Sequence, residues 1–364
     1  MEERKCSNQV DLHCEKLSGW LKERKLEAVL ICKRENVRYF SGFAGTAGVL
    51  AVTAAERKIF VDFRYAEQAR QMAPAFQVVR SKANPLDAAV EWLKGTGFRR
   101  IGFEEDFQTV AEYNRMTAKI DAEHWVPIQL DVLRAVKTAD EIKKITAAAA
   151  IADEALTKIL PLIRPGATEE SLAAALEYEM RIRGSERPAF TTILASGARA
   201  ALPHGLPSEK KIEAGEFVVI DFGAVYQGYH SDITRTFCVG GASSRQREVY
   251  DTVLQAQLAG LAAVKPGAAC REVDRVARSV IEAAGFGEYF GHGLGHGVGL
   301  VIHEGPRLSP SAGEERLEAG MVVTVEPGIY LPGWGGVRIE DLVVVTEDGC
   351  RILSTMDKAL MELA

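Results

Sequence analysis

Gly291-His-Gly-Leu-Gly-His-Gly-Val-Gly299 carries glycine at every second position and is followed four residues later by His303. As an extended segment its side chains alternate, so one face is bare backbone and the other displays His292, Leu294, His296 and Val298. That much glycine weakens a strand unless a ligand or another backbone approaches closely. Three of the chain's seven histidines fall at 292, 296 and 303, a density that points to a metal or acid–base site. A dinucleotide loop is excluded, because the glycines run G-x-G-x-G rather than G-x-G-x-x-G. No helix with an acidic residue about 20 positions on follows them.

Outward from this stretch, two hairpins bring carboxylates into pairs. Phe217-Val-Val-Ile-Asp221-Phe-Gly leads through Gln227-Gly228 to Tyr-His-Ser-Asp232-Ile-Thr-Arg-Thr-Phe237. A two-residue turn at Gln227-Gly228 sets Tyr226 against Tyr229 and Asp221 against Thr234, with Asp232 one diagonal step away. Downstream, Met321-Val-Val-Thr-Val-Glu326-Pro-Gly-Ile-Tyr330 passes a Pro-Gly-Trp-Gly-Gly loop into Gly-Val-Arg338-Ile-Glu340-Asp341. Folding about Gly333 sets Glu326 opposite Glu340, with Arg338 on the same face.

The two hairpins belong to a repeat. Thr138-Ala-Asp-Glu141 is a capping box opening a helix on Ile142, Ile145, Ala149, Ala152, Leu156 and Ile159 that stops near Pro161. Arg164-Pro-Gly-Ala-Thr168 and a second helix on Leu172, Leu176 and Met180 follow, ending at Gly184. The pattern recurs in a helix from Ser244, Lys265-Pro-Gly-Ala-Ala269, and a helix on Val273, Val276 and Val280 ending at Gly285. Pro165 to Pro266 and Gly184 to Gly285 are both 101 residues apart. Two related ααβ halves predict a pseudo-two-fold domain with a site between them.

Ahead of the repeat, residues 1–131 read as a smaller α/β domain. It has a helix over 11–25, apolar runs at 27–32, 47–53 and 58–62, and an aromatic run at Tyr39-Phe40-Ser-Gly-Phe43. Asp62-Phe-Arg-Tyr65 reads as a strand end and helix start in preference to a binding surface. The 364 residues, 47% apolar, suffice for two domains. A net charge of −6 argues against nucleic acid as a partner, and no apolar run approaches the roughly 20 residues of a membrane span. The opening Met-Glu-Glu-Arg-Lys is not a secretory signal. Six scattered cysteines (6, 14, 32, 238, 270 and 350) without a C-x-x-C pair read as free thiols, and the expected setting is cytoplasmic.

Asp221, Asp232, Glu326 and Glu340 each end or interrupt an apolar strand, where an unpaired buried charge costs several kcal/mol. With one neutral imidazole the four carboxylates sum to −4, which one divalent ion leaves unbalanced and two neutralise. Oxygen-rich ligation with a single nitrogen suits Mn, Co, Fe or Zn rather than a structural zinc site. The expectation is a two-metal hydrolytic centre, its ions ~3.5–4 Å apart and sharing a water or hydroxide.

In order along the chain, Asp221, Asp232, His296, Glu326 and Glu340, with His-Gly-x-Gly-His-Gly and Glu-Pro-Gly-x-Tyr, resemble the ligand signature of the pita-bread metallopeptidases. Asn36-Val-Arg-Tyr-Phe-Ser-Gly-Phe43 and Asp62-Phe-Arg-Tyr65 extend the resemblance to the proline-specific branch, prolidase and aminopeptidase P. The resemblance implies an α+β fold. A pita-bread domain over 132–364, with a curved antiparallel sheet, would follow a creatinase-type amino-terminal domain over 1–131. It implies that Asp221 chelates one ion, His296 and Glu326 the other, and that Asp232 and Glu340 bridge. His204, in Leu-Pro-His-Gly, matches a substrate histidine, and His303 one that contacts the scissile carbonyl or the proline. His292 and Arg338 match groups behind the ligands, and Tyr330 lies beside the site. Glu326 is the candidate proton relay, with His303 or His204 stabilising the oxyanion. Arg307, four residues after His303, is a candidate to grip a substrate carboxylate.

These expectations converge on an Xaa-Pro dipeptidase holding two divalent ions, Mn first and Co, Zn or Fe behind it, working as a homodimer. Aminopeptidase P action on longer peptides is the nearest alternative. A methionyl aminopeptidase needs no such amino-terminal domain, creatine amidinohydrolase-like members lack the metal ligands, and a binding module typically loses them.

Overall fold

The computed structural model describes residues 2–364, with side chains described from residue 9 onward. Cys6 and the opening Met-Glu-Glu-Arg-Lys therefore lie outside the residues whose side chains are described. The chain divides into two compact units, Met1–Arg134 and Ala135–Ala364.

The first unit alternates helices and strands: α1 (Glu2–Glu23), β1 (Ala28–Ile31), α2 (Arg34–Ser41), β2 (Val49–Thr53), β3 (Arg57–Val61), α3 (Ala66–Met72), β4 (Gln77–Arg80), α4 (Pro85–Thr96), β5 (Ile101–Glu104), α5 (Val110–Thr117) and β6 (Trp125–Ile128). Its six-stranded sheet runs β4-β3-β2-β1-β5-β6, and β2 pairs antiparallel with both neighbours while the other pairings are parallel. Wholly apolar strands such as Ala28-Val-Leu-Ile31 are buried along their full length, as a sheet covered on both faces requires. The aromatic run is core: Tyr39, Phe40 and Phe43 are all buried, and the Tyr39 hydroxyl donates to Leu133 O at 2.8 Å. Asp62–Tyr65 is the link from β3 to α3, where Arg64 pairs with Asp62.

The second unit repeats two helices followed by antiparallel strands. The first half holds α6 (Ala139–Ile159), α7 (Glu169–Ile182), β7 (Ile193–Ser196), β8 (Phe217–Phe222), β9 (Val225–Tyr226), β10 (Tyr229–His230) and β11 (Ile233–Val239). The second half holds α8 (Ser244–Ala263), α9 (Cys270–Ala283), β12 (Gly295–Gly297), β13 (Glu304–Leu308), β14 (Val322–Val325), β15 (Gly328–Leu331), β16 (Gly335–Arg338), β17 (Asp341–Val345), β18 (Cys350–Ile352) and β19 (Glu362–Leu363). Capping boxes at Thr138 and Ser243 start the leading helix of each half, satisfying amides that have no partner within the helix. The Pro-Gly links turn through left-handed glycines at matched places, Gly166 and Gly267, and the trailing helices stop at left-handed Gly184 and Gly285.

Each half buries its own core. Ile151, Leu156, Leu172 and Leu176 pack on Val218, Ile220 and Phe237 in the first, and Val249, Val253, Val273 and Ala277 pack on Val323, Val325 and Val343 in the second. The strands form a four-stranded sheet β19-β11-β8-β7 and a five-stranded sheet β13-β12-β14-β17-β18, with β9–β10 and β15–β16 as two-stranded ladders. The two halves meet where Glu340 N–H donates to Thr234 O at 3.1 Å. No described helix is long and apolar enough to cross a membrane, and Cys14, Cys32, Cys238, Cys270 and Cys350 are free.

Candidate metal centre

Hairpin register places the first two acids. Gln227 and Gly228 both take positive φ, 48° and 81°, as a type I′ turn demands. Tyr226 then stands opposite Tyr229 and Asp221 opposite Thr234, so Asp221 and Asp232 share a face. The second hairpin folds about Gly333, at φ 77°, with Gly328 opposite Arg338 and Tyr330 opposite Gly336. Continued beyond the ladder, that register sets Glu326 against Glu340.

The glycine stretch departs from a simple strand. Only Gly295–Gly297 is strand, and the pairing of β12 with β13 slips between His296 and Gly297. The expected shared face for His292, Leu294, His296 and Val298 therefore breaks up. Leu294 joins the core beneath α8 and α9, while His296 turns to the carboxylates. The glycines answer close backbone approach: a Cβ at Gly295 would lie 2.1 Å from Thr324 O, and one at Gly297 2.2 Å from Gly305 O.

The structure brings the five candidate ligands together. One oxygen each of Asp221, Asp232 and Glu340 lies within 4.8 Å of the others. His296 Nε2 stands 3.4 Å from Glu326 Oε1 and 3.6 Å from Asp232 Oδ2. Asp221, Asp232 and Glu340 are 9%, 5% and 1% exposed, so they are not solvent-facing hairpin residues. Burial, reinforced by Glu340, Asp221 and Glu326, drives the Asp232 carboxyl well above its ordinary range. Glu340 is pushed the same way by burial, then by Glu326 and Asp221. For Glu326, burial outweighs the opposing Arg338 and the pKa rises to about 8. Burial, then His303, lowers His296 to about 3. Its Nδ1–H donates to Gly297 O at 3.1 Å, which aims the Nε2 lone pair at the carboxylates. Its short contacts to Asp232 and Glu326 are thus lone pair against lone pair rather than ion pairs.

Protein donors hold one oxygen of most acids and leave the other bare. Arg338 Nη2 donates to Asp221 Oδ2 at 2.6 Å, Thr234 Oγ1 to Glu340 Oε2 at 2.7 Å, and Thr324 Oγ1 to Glu326 Oε1 at 3.1 Å. Asp221 Oδ1 and Glu340 Oε1 are buried without any hydrogen-bond partner. Converging lone pairs, orphaned buried oxygens and mutually repelling carboxylates fit divalent cations. Arg338 amends the charge balance drawn from the acids alone, because its guanidinium leaves the group at −3 rather than −4. Thr234 and Thr324 were not singled out in the sequence, although each lies two residues from a candidate ligand, on the same face of its strand.

The remaining candidates surround this centre. Arg338 Nη1 donates to the Tyr330 hydroxyl at 2.9 Å, and that hydroxyl lies 2.9 Å from His292 Nε2. Burial takes Tyr330 up to about 12 and His292 down to about 4, so both are neutral. His303 packs edge-on to His296 at 4.3 Å between ring centroids, and burial, then Arg307, holds it below its ordinary value. Arg307 stands directly opposite His296 across β12 and β13. It is exposed, and its charge bears on both His296 and His303. His204 is exposed on a segment whose Pro203 O accepts from Arg338 Nη1 at 3.2 Å, and it lies within electrostatic reach of His292 and His303. His230 is a buried structural residue, its backbone N–H donating to Gly299 O at 2.9 Å.

Comparison with known proteins extends this picture over nearly the whole chain. The model of metallopeptidase family M24 matches residues 143–347, and that of the creatinase/prolidase N-terminal domain matches residues 13–136. The Xaa-Pro dipeptidase of Pyrococcus furiosus is 42% identical over 349 residues, covering 95% of this chain and 99% of that protein. The solved structure of an Xaa-Pro dipeptidase from Bacillus anthracis superposes with a TM-score of 0.94 at 43% identity, covering 97% of this chain and 100% of that one. An X-Pro aminopeptidase from Thermotoga maritima superposes at 0.87 with 39% identity, covering 94% and 99%.

Proposed function

The chain belongs to metallopeptidase family M24, with a creatinase/prolidase amino-terminal domain and the pita-bread catalytic fold, and from that footing we propose that this peptidase hydrolyses the Xaa-Pro bond of dipeptides. The observation that carries the dipeptide reading is Arg307. Arg307 stands opposite His296 across β12 and β13, its charge bears on His296 and His303, and among the described residues no side-chain hydrogen bond or ion pair occupies its guanidinium. A planar guanidinium at that place suits bidentate capture of a free proline carboxylate.

Asp221, Asp232, His296, Glu326 and Glu340 would hold two divalent ions, Mn in preference to Co, Zn or Fe. When bound, the pair supplies Lewis-acid polarisation of the scissile carbonyl and an acidified water. The chain's own residues do the rest. His303 and His204, both exposed, would donate to the carbonyl oxygen as charge develops there. Proline's amide nitrogen in an Xaa-Pro bond has no N–H and leaves only when protonated, and Glu326 is the carboxylate that would take a proton from the attacking water and pass it to that nitrogen. Thr324 keeps one Glu326 oxygen fixed during the transfer. The same reading includes a homodimer and a cytoplasmic setting, with which the free thiols agree.

Action on longer peptides is favoured by one observation, the likeness to the Thermotoga maritima X-Pro aminopeptidase. Proline release from Ala-Pro and from Ala-Pro-Ala, each with Mn or Co and with a chelator, separates the readings. Metal-dependent cleavage of Ala-Pro well ahead of Ala-Pro-Ala is expected. The reverse order transfers the assignment to the aminopeptidase, and no cleavage of either removes the peptidase proposal.

A further inference from the structure

Glu169, in the first turn of α7, is fully buried, yet it does not cap its own helix. Thr168 does that, accepting from Ser171 N–H at 3.2 Å. Both Glu169 oxygens turn instead to the segment that carries His204. Oε1 accepts from Ser196 N–H at 2.8 Å and from Ser196 Oγ at 2.9 Å, at the entry to the segment. Oε2 accepts from Ser208 N–H at 3.1 Å and Ser208 Oγ at 2.7 Å, at the exit, and also from Arg199 Nη1. Arg199 passes the connection on, its Nη2 donating to Leu206 O at 2.8 Å. One carboxylate thus closes the loop from both sides, and the exposed His204 sits near its tip.

The opposite half fixes the same loop independently. Arg338 takes Pro203 O, and Gly336 has no Cβ where Ala200 O would lie 2.3 Å away. We infer that Glu169 is a positioning residue for His204, setting where that imidazole stands over the metal centre. This rests on the reading above that His204 meets substrate. A buried carboxylate with five donors is rigid because every alternative leaves charge or N–H groups unsatisfied. A shift of about 1 Å in a group aligned to the reacting atoms costs roughly 10²-fold in rate.

The test is a double-mutant cycle on the metal-loaded enzyme, with kcat/KM for Ala-Pro taken per folded molecule. Glu169→Gln keeps the shape but turns an amide N–H₂ toward donors. It should lower kcat/KM about 10²-fold with bound metal unchanged. In a His204→Ala background it should change nothing further. Equal, multiplicative losses in both backgrounds would overturn the assignment, since a merely structural defect does not depend on His204. If Glu169→Gln does not fold, Ser196→Ala and Ser208→Ala, which each remove one hydroxyl donor, carry the same cycle with smaller losses. Hydrogen exchange separates this from the peptidase reading. Even if no peptide is cleaved, Glu169→Gln should speed exchange over residues 196–208 alone, and unchanged exchange there overturns the positioning role.

Discussion

Thr234 Oγ1 donates to Glu340 Oε2 at 2.7 Å and accepts from Arg338 Nε at 3.0 Å. One hydroxyl of the first half thereby orients a candidate ligand carboxylate and an arginine of the second. Thr234→Val keeps the shape and removes both bonds. Outer-shell partners of this kind are worth ~10–100-fold in metal affinity, and Mn titration of the variant should show a loss of that size with the fold intact. Unchanged affinity would mean that Glu340 is held by its backbone alone.

Arg307→Ala should cut kcat/KM for Ala-Pro by about 10–100-fold, the equivalent of losing a charge-assisted bond of ~1.5–3 kcal/mol. The loss should appear mainly in KM, since the substrate carboxylate is gripped before and during reaction alike. Steady-state kinetics on Ala-Pro and its carboxamide check this. If Arg307 binds the carboxylate, the amide already lacks that contact and the substitution leaves it unaffected.

Acidity gives the stability of the stripped protein a definite slope. Glu326 titrates at about 8 in the fold against an ordinary 4.5, and Asp232 and Glu340 are displaced in the same direction. A carboxyl with a raised folded pKa stabilises fully below its unfolded value, and that contribution fades as pH climbs through the folded one. The lowered His296 and His292 oppose this below their ordinary 6.5, so with chelator present the melting temperature should fall between about pH 6.5 and pH 8. Saturating Mn holds the carboxylates ionised and should remove that fall. Thermal scans across this window, with and without metal, decide it; a chelated protein that gains stability toward pH 8 contradicts the crowded-carboxylate account.

The residues nearest the ligands were easier to find than those that aim them. Turn chemistry made both hairpins legible, since Gln227-Gly228 and Gly333 sit where positive φ is needed. Strand alternation then carried the acids to one face. The 101-residue repeat anticipated two related ααβ halves, and in the structure each half carries a core of its own. Leu294 went astray because a register slip at His296 breaks the two-residue period. Arg338's neutralising contact with Asp221 joins residues 117 apart, and Glu169 reaches Ser208 across 39. Such pairings follow from tertiary packing and leave no periodic trace.

Lys137 and Glu304 form a wholly buried ion pair at 2.8 Å, directly after His303 in the chain. Lys137→Met should cost about 3–5 kcal/mol, because it removes one partner of a desolvated pair. Urea unfolding of the metal-loaded variant measures it. A change under about 1 kcal/mol, the value of an exposed pair, would show that the pair does not hold this segment.

The most direct trial of the whole account is a Mn count on chelator-stripped protein by titration calorimetry, in the wild type and in Asp232→Asn. The account predicts two ions per chain in the wild type. In the variant, whose circular dichroism should be native, it predicts a broken pair of sites and no release of proline from Ala-Pro. A wild type that takes up no ion, or a variant that binds and turns over undiminished, would contradict it.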